Sequence, residues 1–106
     1  MGKTTWDALV LTLGNLPPEK FIMFKGKLNN FNVPGINRVT RSELEGKSVI
    51  DVADLLIRRY TKAKGIQVTL MVLAEIGERE ACEELREALK GVEDYNEPME
   101  TADSMR

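Results

Sequence analysis

The stretch from Phe21 to Leu28 has the apolar and polar pattern of an amphipathic helix. Phe21, Phe24 and Leu28 recur at i, i+3 and i+7, so they share one helical face. The other faces carry Lys20, Lys25 and Lys27. One side of this helix is therefore suited to a core, and the other side is suited to a charged partner.

Similar patterns predict the elements on either side of this helix. An apolar stripe begins after a cap at Thr4 or Thr5 and stops near Gly14, which predicts a first helix. Residues 30–40 contain a Pro-Gly pair and little periodicity, so they are predicted to form a loop. A short third helix is predicted over residues 41–45.

Three further helices are predicted in the second half of the chain. Ser48 can cap the fourth helix, and Asp51 at its third position nearly completes a capping box. A break at Thr61-Lys62 precedes a fifth helix over residues 62–76, whose apolar residues occupy almost every face, as in a central buried helix. The last helix covers residues 79–89. No strand pattern competes with these helices, so the predicted fold class is all-α, with five or six short helices.

Length and charge indicate one small domain followed by an acidic segment. A chain of 106 residues is about the size of one domain, and no apolar run approaches the roughly 18 residues that span a bilayer. Residues 91–106 hold five acidic residues against Arg106, a sum of −4, which leaves residues 1–90 at +2 within the net charge of −2. We therefore predict a domain over residues 1–90 and a disordered acidic tail or linker over residues 91–106. This near-balanced domain argues against a nucleic-acid partner, which requires a strongly basic face.

The residue types that most enzymes and metal sites use are scarce in this chain. There is no histidine, which is the commonest general base and the commonest metal ligand. The single cysteine, Cys82, cannot form an internal disulfide and agrees with a reducing, cytoplasmic compartment. We therefore expect no catalytic activity, no cofactor, no metal and no membrane or small-molecule partner, and we expect the protein to act by binding.

The arrangement of apolar and charged residues resembles that of pyrin domains over about residues 3–90. The resemblance rests on Leu9, Leu13, Leu16, Phe21, Phe24-Lys25 and Lys27-Leu28 in the first two helices, on the run from Ile50 to Leu56 with Tyr60, and on Val68-Thr69, Val72-Leu73 and Ile76 in the fifth. Each piece alone is weak, because amphipathic helices are common, but together they are specific. The resemblance implies a compact six-helix antiparallel bundle of death-fold type, with a long loop before a short third helix.

The resemblance also implies a function. Pyrin domains are homotypic interaction modules of inflammasome receptors, adaptors and some caspases in innate immune signalling. They assemble into helical filaments, largely through an acidic face on the first and fourth helices and a basic face around the second and third. Because one chain carries both faces, the contacts run head to tail and need not close. Carried onto this sequence, the acidic face would be Asp7, Asp51 and Asp54, and the basic face would be Lys25, Lys27 and Arg41, with Arg38 nearby.

Both faces are thinner here than in the inflammasome adaptor. Ile22 and Met23 stand where the second helix of the adaptor carries lysines. Lys20 partly compensates, because Lys20, Met23 and Lys27 fall on one helical stripe. We therefore predict a mixed apolar and basic surface on the second helix, with Ile22 and Met23 as contact residues.

The expected partners are other pyrin domains, in an adaptor, in a receptor or in further copies of this chain within a filament. Two alternatives stay open at this point. The first is a free-standing pyrin-only regulator that blocks assembly. The second is a small helical nucleic-acid-binding domain, which would use Arg38, Arg41, Arg58 and Arg59 and would bind DNA or RNA in a salt-sensitive way.

Overall fold

A computed structural model describes residues 4–92 of the chain, and these residues form five helices. The helices are α1 (Thr5–Gly14), α2 (Pro18–Asn29), α3 (Arg41–Leu44), α4 (Val49–Glu75) and α5 (Arg79–Leu89). α1 packs against α4 and α5, whereas α2 packs against α3 and α4. Within the described range, no helix is long and apolar enough to cross a membrane. The predicted acidic tail lies outside the described residues from residue 93 onward.

Capping boxes begin three of the helices. In each box the N-cap hydroxyl accepts a hydrogen bond from the backbone N–H three residues on, and the carboxylate at that position accepts one from the N-cap backbone. The pairs are Thr4 and Asp7 for α1, Thr40 and Glu43 for α3, and Ser48 and Asp51 for α4. The aspartate of the last pair is therefore long enough to complete the box.

Thr61 interrupts α4 with a kink. Its φ of 71° and ψ of 171° are not helical. Its hydroxyl accepts a long hydrogen bond of 3.5 Å from the backbone N–H of Lys64, which caps the second part of the helix. The break that the sequence predicted lies at this position, but the helix resumes immediately, with no connecting loop. The described residues therefore contain five helices instead of the predicted six.

The kink brings the two parts of α4 into close backbone contact at Gly65. A Cβ atom at this position would lie 3.1 Å from the carbonyl oxygen of Leu56. Both residues are buried. A Cβ atom at residue 65 would therefore require one of these two backbone segments to shift by a few tenths of an ångström, which glycine avoids.

The core draws apolar side chains from every helix. Phe24 and Leu28 of α2 are fully buried, and Phe21 on the same face is half-buried against them. The prediction that residues 62–76 are buried on almost every side is wrong, because the side of this segment that carries Met71 faces solvent and Met71 is 55% exposed. The largest fully buried residues from the other elements are Tyr60, Leu9, Leu13, Leu56, Ile66, Leu73, Leu85 and Val39.

Candidate protein-interaction surfaces

One groove lies between α2 and α3, and we call it the α2–α3 groove. Ile22, Lys25 and Arg41 line this groove, which has a volume of about 420 Å³. Ile22 is 66% exposed, the highest value among the large apolar residues described. The Lys25 ammonium donates a hydrogen bond of 3.0 Å to the carbonyl of Lys47 and lies 4.9 Å from the centre of the Phe21 ring. The groove therefore combines an apolar wall with two basic side chains and one acidic side chain, that of Glu45.

A second set of residues on α2, which we call the charged stripe, faces the end of α4. Its members Lys20, Met23 and Lys27 lie at i, i+3 and i+7. Lys20 lies 3.8 Å from the carboxylate of Glu78, and Lys27 lies 3.6 Å from that of Glu75. Met23 lies between the two lysines and is 44% exposed. The structure thus divides the predicted basic residues of α2 into two groups, one in the α2–α3 groove and one already paired within the chain.

Two of the predicted acidic residues line another groove, which we call the α3–α4 groove. Asp51 and Asp54 lie in its walls beside Lys47 and Arg58, and its volume is about 410 Å³. Hydrogen bonds from the backbone and the hydroxyl of Ser48 lower the pKa of Asp51 below its ordinary value of 3.8. Asp54 is exposed and has no hydrogen-bond or ion-pair partner among residues 4–92. This groove is therefore mixed in charge.

The basic side of the α3–α4 groove was not predicted from the sequence. Lys47 and Arg58 were not assigned to the acidic face, although their positions gave a signal. Arg58 lies four residues after Asp54 on one helix, and residues at that spacing are neighbours on a helical surface. Lys47 directly precedes the cap of α4.

Asp7, the third predicted acidic residue, lies apart from these grooves. It is on α1, is half-buried, and lines neither the α2–α3 nor the α3–α4 groove. Its carboxylate accepts hydrogen bonds of 2.9 Å from the backbone N–H of Thr4 and 3.0 Å from the Thr4 hydroxyl. The contacts of Asp7 are therefore those of a helix cap.

Arg59 holds the long loop against α4. Its guanidinium donates hydrogen bonds of 3.1 Å and 3.2 Å to the carbonyls of Asn37 and Arg38, and it pairs with the carboxylate of Glu43. The pKa of Glu43 is lowered mainly by the hydrogen bond from the backbone of Thr40, and also by Arg59. The Arg38 side chain is exposed in the same loop. Arg59 is thus hydrogen-bonded within the chain, and Arg58 lies in a groove with acidic residues. The four arginines that the nucleic-acid-binding alternative would use therefore do not form one basic face.

Groups suited to chemistry are sparse in the described part of the chain. No cluster of three or more histidine, cysteine, aspartate or glutamate residues between residues 4 and 92 could hold a metal ion. The Cys82 thiol is buried and lies 3.4 Å from the carbonyl of Leu70, to which it donates a hydrogen bond. Burial raises the pKa of this thiol, so it is a poor nucleophile at neutral pH.

Comparisons with known proteins agree on one family. The model of the PAAD/DAPIN/Pyrin domain matches residues 8–83. The chain is 36% identical over 97 residues to human Pyrin, an alignment that covers 91% of this chain and 12% of Pyrin. It is 34% identical over 88 residues to bovine Apoptosis-associated speck-like protein containing a CARD, with 80% of this chain and 44% of that protein covered. The chain therefore spans less than half the length of these relatives.

A solved structure supports the same assignment. The solution structure of the pyrin domain of human Pyrin matches with a TM-score of 0.75 and 36% sequence identity, covering 82% of this chain and 98% of that one. Pyrin domains are death-fold protein-interaction modules and are not a family of enzymes. The family model matches residues 8–83, and the fold matches a solved pyrin domain over 82% of the chain. The chain therefore belongs to the pyrin-domain family.

Proposed function

We propose that this domain is a homotypic interaction module of innate immune signalling, which binds the pyrin domain of another molecule. The observation that carries the proposal is the presence of two different charged grooves on a single pyrin domain. The α2–α3 groove offers Lys25 and Arg41 beside Ile22, and the α3–α4 groove offers Asp51 and Asp54. In the proposed contact, the acidic residues of one molecule meet the basic residues of the next.

Two different grooves on one chain favour an open assembly. Each molecule can use its α2–α3 groove for one neighbour and its α3–α4 groove for another, so the contacts propagate head to tail into a filament unless the geometry closes a ring. An exposed ion pair contributes only about 0–1 kcal/mol, so several pairs must act together. The exposed side chain of Ile22 adds apolar burial at the centre of this contact.

The proposal has two further parts. We place the assembly in the cytoplasm, which the free thiol of Cys82 agrees with. We also regard the two parts of α4 on either side of Thr61 as the fourth and fifth helices of a six-helix death fold. The high coverage of the solved pyrin domain supports this correspondence.

The test reverses one charge in each groove. Asp54→Lys and Arg41→Glu are suitable because neither side chain has an ion-pair partner among residues 4–92. Asp51 and Lys27 are poorer choices, because Asp51 caps α4 and Lys27 is paired with Glu75. Binding of each variant is measured by pull-down and pelleting against two probes, a second copy of the same variant and the aligned part of the bovine relative. Each reversal should weaken self-association about tenfold or more, because an attraction becomes a repulsion.

A mixture of the D54K and R41E chains should regain binding, because the intact Arg41 of the D54K chain can meet the intact Asp54 of the R41E chain, and the two reversed residues also attract each other. Glu87→Lys on α5 is the matched control. It reverses an exposed charge and breaks an ion pair of 3.1 Å with Lys90, but it lies in neither groove. The model of two complementary grooves is wrong if D54K and R41E bind both probes as wild type does while circular dichroism shows them folded.

A further inference from the structure

Two glutamates at the end of α4 are placed to control the charged stripe. Glu75 is in the last turn of α4, and Glu78 follows the turn that ends this helix. Gly77 has a φ of 80°, and the N–H of Glu78 donates a hydrogen bond of 2.9 Å to the carbonyl of Leu73, which is the Schellman arrangement. This turn directs the chain so that Glu78 reaches Lys20 of α2.

The two ion pairs differ in exposure but share one surface. The side chains of Lys27 and Glu75 are 52% and 55% exposed, whereas those of Lys20 and Glu78 are 33% and 23% exposed. Met23 lies between the two lysines on the stripe and is itself exposed. This surface therefore presents the exposed side chain of Met23 between two lysine–glutamate ion pairs.

We propose that Glu75 and Glu78 are specificity-determining residues of this surface, and that they select a partner groove with basic groups next to its acidic groups. A partner with acidic groups alone would have to displace the glutamates from Lys20 and Lys27, or would place its carboxylates beside them. Like charges at an interface are strongly unfavourable, and specificity commonly depends on such a repulsive element. This inference rests on the proposed function, because it concerns which pyrin domain is bound.

The occupant that fits this chemistry is the α3–α4 groove of a second copy of the chain. That groove holds Asp51 and Asp54, which can attract the lysines of the stripe, and also Lys47 and Arg58, which can attract its glutamates. The α2–α3 groove adjoins the stripe, because Ile22 and Met23 are neighbours in the chain and both are exposed. One partner surface can therefore contact both sides of α2.

The experiment is a double-mutant cycle between an immobilised chain and a chain in solution. The immobilised chain carries Asp54→Lys in every arm, which weakens the reverse contact through its own α3–α4 groove. It is otherwise unchanged or also carries Glu75→Gln with Glu78→Gln, and the soluble chain is wild type or carries Lys47→Gln with Arg58→Gln. Glutamine keeps the side-chain length of glutamate and removes only its charge. Replacing Lys47 and Arg58 of the soluble chain should weaken its binding about three- to tenfold when Glu75 and Glu78 are present on the immobilised chain. The same replacement should weaken binding less than about twofold when the immobilised chain carries Glu75→Gln with Glu78→Gln.

The matched control is Glu83→Gln with Glu87→Gln on α5. It makes the same change in charge and also removes two exposed ion pairs, of 3.5 Å with Arg86 and 3.1 Å with Lys90, but neither residue lines a groove or pairs with the charged stripe. The control chain, in which Glu75 and Glu78 are intact, should still bind the wild-type soluble chain about three- to tenfold more tightly than it binds the Lys47→Gln, Arg58→Gln chain. If the Glu75→Gln, Glu78→Gln chain shows the same difference in affinity between the two soluble chains, the inference is overturned.

The result also separates this inference from the proposed function. If wild-type chains bind each other and Asp54→Lys weakens that binding, but the cycle shows no coupling, only the specificity role of Glu75 and Glu78 is wrong. If wild-type chains do not bind each other, this inference is overturned because its occupant is a second copy. Binding to the aligned part of the bovine relative then decides the proposed function.

Discussion

Replacing Gly65 by alanine tests the close packing at the kink in α4. A Cβ atom there would lie 3.1 Å from the carbonyl oxygen of Leu56 and 3.5 Å from its carbonyl carbon. The contacted atoms belong to the backbone of a fully buried residue, so they cannot move aside as the end of a flexible side chain could. Gly26→Ala in α2 is the matched control, because a Cβ at that exposed position meets nothing within 4 Å.

Two effects of opposite sign set the expected stabilities. Alanine is favoured over glycine inside a helix by about 1 kcal/mol, so Gly26→Ala should stabilise the fold by about 0.5–1 kcal/mol. Overpacking a buried site costs about 1–3 kcal/mol, which exceeds that gain at Gly65. We expect Gly65→Ala to destabilise the fold by about 1–2 kcal/mol, and the two variants to differ by roughly 10–20 °C in Tm.

The assay is urea unfolding followed by circular dichroism and by the fluorescence of Trp6, which is half-buried in α1. Thermal unfolding gives Tm for the same samples. If Gly65→Ala is as stable as Gly26→Ala, the backbone of the two parts of α4 does not approach as closely as described. The explanation of glycine at residue 65 would then be refuted.

Two further predictions concern the backbone at Thr61 and the response to acid. Thr61 occupies a backbone region that is essentially restricted to glycine. In urea unfolding, Thr61→Gly should therefore be about 1–2 kcal/mol more stable than Thr61→Ala, because alanine keeps the backbone strain. Equal stability of the two variants would contradict this explanation. The pKa of Glu43 is lowered in the folded state, mainly by the backbone of Thr40 and also by Arg59. The Glu43 carboxylate therefore stabilises the fold at pH values above its ordinary pKa of 4.5. This contribution is lost as the pH falls from 4.5 through the lower pKa that Glu43 has in the folded state. When unfolding is measured from pH 7 to pH 3, the free energy of unfolding should fall more steeply below pH 4.5 in wild type than in Glu43→Gln. If the two variants show parallel plots of unfolding free energy against pH, the Glu43 carboxylate does not have this stabilising role.

The positions of the helices could be predicted closely from the sequence. α3 begins at the predicted residue Arg41 and α5 covers the predicted residues 79–89, while α2, whose amphipathic stretch was predicted, begins at Pro18. These boundaries depend on local causes, because proline lacks an N–H and a cap is a hydrogen bond between residues three apart. Five helices are described where six were predicted, because a threonine in a strained conformation ends one helical segment and caps the next without a loop.

The candidate surfaces were less predictable. The sequence indicated that Lys20 and Lys27 share a stripe of α2, but not that this stripe faces the end of α4. Asp7 was grouped with Asp51 and Asp54, and its carboxylate accepts hydrogen bonds from a helix cap as that of Asp51 does, but only Asp51 and Asp54 line the α3–α4 groove. Arg58 was likewise not assigned to the groove that holds Asp54, although it follows Asp54 by only four residues on the same helix.

The sequence by itself determined the fold class, the helix positions, most core residues and the resemblance to pyrin domains. Those features follow from periodicity and capping, which act over a few residues. Only the tertiary structure decided which charged side chains are available to a partner. Lys20 and Lys27 are paired with glutamates from the end of α4, while Asp54 and Arg41 have no such partner in the described part of the chain. A charged side chain pairs with whatever packing places within a few ångströms, and its own helix does not specify that neighbour.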